Sequence, residues 1–146
     1  MSAALDAAHA EVKAEIARTD TKTGLLLAFI GALLAGVWTV AKDADLPAAA
    51  YAVGGLGVVL LVSAAGLLLR AVRPNMSGAV TGFPLWATLT AEEIRTALDT
   101  DRRGQDIANL SRIAVAKFTN LRRAVDLTCT AGVLLAVAAA LTGVLA

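Results

Sequence analysis

Few side chains in this sequence can do chemistry, and most of those are spaced to pair rather than to react. Within the first 23 residues Glu11, Glu15, Arg18 and Lys22 recur at intervals of three and four, which gathers them on one flank of a helix, while Asp6, Lys13 and Asp20 lie on the other. Opposite charges at such spacings stabilise a helix by about 0.2–0.5 kcal/mol per pair. Far along the chain Lys117 sits at the edge of the apolar face of Leu110, Ala114 and Leu121, apart from Arg112 and Arg123. It reads either as a cation whose stem covers apolar surface or as an inward cation waiting for an anion. The single histidine, His9, stands beside an apolar helical face, where a packing or capping role suits it better than catalysis. The single cysteine, Cys129, lies inside an apolar run, so it forms no internal disulfide and reads as a small packing residue. Metal-ligand spacing, a Gly-rich phosphate loop and a nucleophile elbow are all missing. The chemistry on offer is ionic recognition, and the chain reads as a non-enzyme without cofactor or metal.

The elements that must position these charges are set by hydropathy. Of 146 residues 58% are apolar and 17% charged, against about 45–50% and about 25% in soluble domains, and the mean hydropathy is +0.70. The excess falls in three charge-free runs, 24–41, 46–69 and 127–146. At about 1.5 Å per helical residue each can cross an apolar layer about 30 Å thick, the first with help from its flanks. A cleaved signal peptide is the competing reading of the first run. However, the preceding segment carries four acids, and the run exceeds the usual apolar core of about 7–15 residues.

The expected fold is an all-α integral membrane protein with three transmembrane helices and a cytoplasmic helical bundle continuous with the first and third spans. Its expected segments are an N-terminal helix (1–23), a span (24–41), an outer turn (42–45), a span (46–69), a cytoplasmic loop with helices (70–126) and a span (127–146). Leu5, Val12, Ile16 and Thr19, with Ala8 beside them, form the apolar side of the first helix. No Gly or Pro interrupts it between Ser2 and Thr23, so it should run on into the membrane. Asp45 or Leu46 can cap the second span, Pro47 suits its first turn, and Pro74 should stop it after Arg70 and Arg73. The segment 74–89 reads as an ordered loop anchored by Phe83, Leu85 and Trp86. Thr90 and Glu93 form a capping box for a short helix from Ala91 to about Asp99. "DTDRRG" should bend or end that helix, and a second long helix should begin near Gln105. On it Ile107, Leu110, Ala114, Phe118, Leu121 and Val125 share one face, and Asn109, Arg112, Ala116, Asn120 and Arg123 the other.

Lys and Arg number three before the first span, one in the first turn, nine between the second and third spans and none after. That asymmetry puts the N-terminus and long loop inside, and the first turn and Ala146 outside. None of the spans holds a charge, and none shows the broken, repeated helices of transporters. One chain has too few helices for a pore, so a permeability pathway requires a homo-oligomer. Small residues (Ala32 with Gly36, Gly31 with Ala35, and Gly54, Gly55 and Gly57) offer close-packing surfaces, within a chain or between copies. A net charge of +1, with basic and acidic residues mixed, gives no sign of a nucleic-acid partner.

Two stretches carry a resemblance. "ARTDTKTGLLLAFIGALLAGV" resembles the opening of the Pycsar effector family of bacterial membrane proteins, where an Asp-x-Lys-small pattern precedes a long apolar span. "IANLSRIAVAKFTNLRRAV" resembles that family's later helix, with a Lys-aromatic pair before the last span. The resemblance implies an antiphage effector of the bacterial inner membrane. In that family a companion cyclase makes a cyclic pyrimidine mononucleotide, cyclic UMP or cyclic CMP, and the effector then impairs the membrane and stops growth, an abortive infection. Asp20, Lys22, Lys117 and Phe118 match the family pattern. A monoanion with a flat base further suits Arg18, Lys22, Arg112 and Lys117 as cations, Asn120 as base reader and Phe118 as platform. A plasmid-transfer (conjugative spread) protein and a structural membrane scaffold are the alternative readings.

Overall fold

A computed structural model describes residues 2–73, 83–99 and 101–145, and among these the chain is helical with no strand. It comprises α1 (Ser2–Ala41), α2 (Ala48–Val72), the single turn α3 (Phe83–Trp86), α4 (Ala91–Asp99) and α5 (Arg103–Leu145). Both ionic-to-apolar joints are unbroken. α1 has 40 residues and α5 has 43, or about 60 and 65 Å at 1.5 Å per residue. α1, α2 and α5 are each long and apolar enough to cross a membrane, and the protein is a multi-pass membrane protein.

The helix ends follow local chemistry, with three departures from expectation. Pro47 is itself the N-cap of α2, with no side-chain cap, and its carbonyl accepts the Tyr51 N–H at 3.0 Å. Arg73 closes α2 in an extended conformation (φ −58°, ψ 124°), the region imposed on a residue that precedes proline. α5 begins at Arg103 rather than near Gln105, because the Asp101 carboxylate accepts the Arg103 backbone N–H at 3.1 Å. Of the expected loop, residues 74–82 lie outside the described residues. Phe83–Trp86 is a helical turn instead, with Leu85 half-buried and Trp86 exposed. The capping box forms as read: Glu93 accepts the Thr90 N–H at 2.8 Å, and Thr90 Oγ1 accepts the Glu93 N–H at 3.4 Å.

α5 is the central element. It packs along α2 and, less extensively, along α1, while α1 and α2 barely touch. Ile30, Leu61, Ala64, Leu68, Ala124 and Ala131 form the buried core where the three meet. Along α1 the residues turned inward are Leu5, His9, Val12, Ile16, Thr19, Thr23, Leu26, Ile30, Leu33 and Val37. Along α5 they are Ile107, Leu110, Ala114, Lys117, Leu121, Ala124, Thr128, Ala131, Leu135 and Ala138. Both rows alternate steps of four and three, the spacing of a left-handed coil. That spacing corrects the expected α5 face. Steps of four lead from Ala114 to Phe118 and from Leu121 to Val125, whereas the coil turns inward Lys117 and Ala124. Phe118 and Val125 are accordingly 39% and 41% exposed.

The outward faces of the apolar halves carry Leu25, Phe29, Val59, Val62 and Val133, all more than half exposed. In water such a surface would be an association hazard, but here it meets acyl chains. Since lipid is as apolar as leucine, contacts inside the membrane depend on close packing rather than on burial from water. Gly57 supplies that closeness: a Cβ there would lie 3.1 Å from the Leu135 side chain and 3.3 Å from the Ala131 carbonyl oxygen. A Cβ on Gly54 would meet Ala138 at 3.5 Å, whereas Gly55 faces open space. Two of the three glycines therefore serve packing inside the chain. Gly57→Leu should destabilise the α2–α5 pair by about 1–3 kcal/mol, the usual cost of overpacking. Gly55→Leu should leave chain stability unchanged, and thermal unfolding in detergent distinguishes the two.

Candidate ligand site in the polar stalk

Before entering their apolar halves, α1 and α5 stand side by side as a polar stalk. Its interior has two buried hydroxyls, Thr19 and Thr23, 2% and 3% exposed. Each is satisfied within its own helix: Thr19 Oγ1 donates to the Glu15 carbonyl and Thr23 Oγ1 to the Thr19 carbonyl, both at 2.8 Å. The stalk therefore holds polar side chains without stranding a donor.

Among the described residues, ion pairs cross between the helices at two levels. Lys117 Nζ donates to Asp20 Oδ1 at 2.5 Å, with the lysine side chain 20% and the aspartate 46% exposed. Arg103 Nη1 donates to Asp6 Oδ1 at 2.6 Å, and its other edge holds Asp101 through Nη2–Oδ2 and Nε–Oδ1 contacts, each 2.9 Å. Asp101 chiefly, and Asp6 after it, hold the Arg103 guanidinium above its ordinary pKa. The Arg103 side-chain and backbone donors keep the Asp101 carboxyl below the usual carboxylate range. On α4, the Thr90 backbone N–H first and its hydroxyl second do the same for Glu93. Both cross-helix pairs join residues 97 apart in sequence, so α1 and α5 run parallel in one register.

Of the seven residues singled out from the sequence, the fold brings Asp20 and Lys117 into direct contact. The inward cation does meet an anion, and that anion belongs to the protein. Lys22 is exposed two residues beyond Asp20, and Asn120 is half-buried three residues beyond Lys117, which sets them at nearly one level. Phe118 follows Lys117 with its ring partly open. Arg18 and Arg112 stand apart on outer faces. The first donates to Glu15 Oε2 at 3.2 Å and the second to Asn109 Oδ1 at 3.3 Å, both within their own helices. The reading of single helices missed Arg103, which it left in a helix break. The signal was present: Asp6 and Asp20 are 14 residues apart, as are Arg103 and Lys117.

Elsewhere the concave surface has a different chemistry. A cleft of about 790 Å³ opens between the apolar halves of α1 and α2, lined by Val37, Trp38, Tyr51, Gly54 and Leu135 among others, with no charged residue. It suits no anion. Among the described residues no cluster of three or more His, Cys, Asp or Glu can hold a metal ion.

The Asp20–Lys117 pair should show a small but specific coupling. In a double-mutant cycle with Asp20→Asn and Lys117→Gln, denaturant unfolding in micelles should give about 0.2–1 kcal/mol. Exchanging the two charges, Asp20→Lys with Lys117→Asp, should recover stability lost in either single exchange.

Comparison with protein families matches residues 4–144 to the Pycsar effector protein domain, PycTM. Comparisons with curated proteins and with solved structures gave no match.

Proposed function

Because the chain belongs to the Pycsar effector family, we propose that it is an antiphage effector gated by a cyclic pyrimidine mononucleotide. On this reading a companion cyclase makes cyclic UMP or cyclic CMP on infection. The nucleotide binds the stalk in the cytoplasm, and the response impairs the inner membrane and ends in abortive infection. The observation that carries the reading is the Asp20–Lys117 contact. It joins the two helices that continue unbroken into the membrane, and it does so through a cation a phosphate can claim. A cyclic phosphodiester would compete with the Asp20 carboxylate for the Lys117 ammonium. Lys22 supplies a second cation, Phe118 an apolar platform and Asn120 a donor and acceptor for the base edge. Arg18 and Arg112, held on outer faces by neighbours on their own helices, take a lesser part. A ligand shifts the α1–α5 arrangement only by its difference in affinity between the two states. Membrane damage requires several copies, and Gly31, Gly36 and Gly55, which face open space, are among the small surfaces free for that contact.

Titrating the purified protein with cyclic UMP and cyclic CMP tests the site. One nucleotide should bind. Since a charge-assisted contact contributes about 1.5–3 kcal/mol, Lys117→Ala should weaken it at least about tenfold. Dye should enter cells that co-express the protein with a pyrimidine cyclase, and not cells expressing either alone. Absence of binding together with intact cells would remove the reading, whereas binding unchanged in Lys22→Ala/Lys117→Ala would move the site elsewhere.

The orientation rests on the Lys and Arg distribution. Reporter fusions after Ala10, Asp43, Gly78 and Ala146 should read inside, outside, inside and outside. An inside signal at Ala146 would contradict it.

A further inference from the structure

Four exposed arginine side chains have no hydrogen-bond or ion-pair partner among the described residues: Arg70 and Arg73 at the end of α2, and Arg122 and Arg123 in α5. The packing places them together in depth. Gly57 lies against Ala131 and Leu135, and Gly54 against Ala138, so α2 runs antiparallel to α5. Thirteen residues past Gly57, Arg70 falls level with about residue 120 of α5, and Arg73 with about residue 117. All four guanidinium stems therefore start within about 9 Å of one depth. Along α1, α2 and α5 the acids nearest that level are Asp20, held by Lys117, and exposed Asp126.

That depth is where the charge-free runs of the chain begin. Toward the far end of the runs, Trp38 and Tyr51 are 72% and 57% exposed. By the same registers they lie about 13 and 17 residues from Arg122, or about 20–26 Å. Aromatic side chains with a polar edge favour the membrane interface, and the separation approaches the hydrocarbon thickness of about 30 Å. One end of the spanning unit thus carries two exposed aromatic side chains with polar edges, the other four exposed arginines at one level.

We propose that Arg70, Arg73, Arg122 and Arg123 form a headgroup clamp, which binds the phosphodiesters of anionic phospholipids and bridges α2 to α5. Guanidinium offers paired donors to phosphate oxygens, and a lipid whose headgroup adds no positive charge leaves that phosphate fully available. This inference is independent of nucleotide sensing, and its test leaves out Lys22 and Lys117.

The experiment reconstitutes the full chain in nanodiscs of phosphatidylcholine alone or with phosphatidylglycerol, reading thermal midpoint and the lipid retained in native mass spectrometry. Phosphatidylglycerol should raise the midpoint and be retained preferentially. Replacing all four arginines by Gln should abolish both effects, at about fivefold in retention per cation lost. The four-Lys variant, which lacks paired donors, should keep only part of the preference, and Lys13→Gln with Arg95→Gln, away from that depth, should keep all of it. Equal midpoints in the two bilayers, or a preference that persists in the Gln variant, would overturn the clamp. So would an undiminished preference in the Lys variant, or inorganic phosphate reproducing the stabilisation in phosphatidylcholine.

Discussion

Asp6–Arg103 and Asp20–Lys117 tie α1 to α5 in a parallel register, and Lys13 stands midway between the two acids. Sliding α1 by one heptad in either direction would break both pairs. It would also bring Lys13 against Arg103 in one case and against Lys117 in the other. Exposed ion pairs contribute little energy, about 0–1 kcal/mol each, but repulsion in the wrong registers adds to attraction in the right one. A seam rich in Ala, Leu and Thr cannot choose its own register, since neighbouring layers look alike. The charges make the choice. They also act in the polar half, where water lets helices sample alternatives, and so set the alignment of the apolar halves that follow.

Within the membrane the same alignment is kept by shape. Gly57 admits Leu135, and the antiparallel contact of α2 with α5 spends its small residues there. Because α1 touches α2 so little, α5 mediates between them: it meets α1 through charges and a coil seam, and α2 through close backbone approach. The α1–α5 seam spans two solvents: burial from water helps drive it in the stalk, whereas inside the membrane it depends, like the α2–α5 contact, on dispersion.

Much of this was legible in the sequence. The charge-free runs, the lack of breakers at both joints and the Thr90–Glu93 box each have a local cause, and local causes can be read from one segment at a time. Lys117 as an inward cation was readable too, from its place on a wheel. Its partner was not, because the pairing of Asp20 with Lys117 depends on how two helices nearly a hundred residues apart are aligned. The same limit explains Phe118 and Val125. A straight 3.6-residue wheel puts them on the apolar face, and the slight supercoil, a property of two helices together, turns them out. Arg103 was hidden by the Asp- and Arg-rich context that suggested a break, although Asp101 in that stretch is what starts the helix.

The length of α1 gives the Asp20–Lys117 pair a mechanical meaning. Asp20 divides the helix unequally, with about 21 Å of helix back to Asp6 and about 32 Å onward to Ala41. A rigid rocking of α1 about this fulcrum converts a 1 Å push at Asp6 into about 1.5 Å at Ala41. The wide gap beside α2 leaves the long arm room to swing. With the pair nearer the polar end, such a rocking would make the helix a magnifying lever, its output across the bilayer from its input.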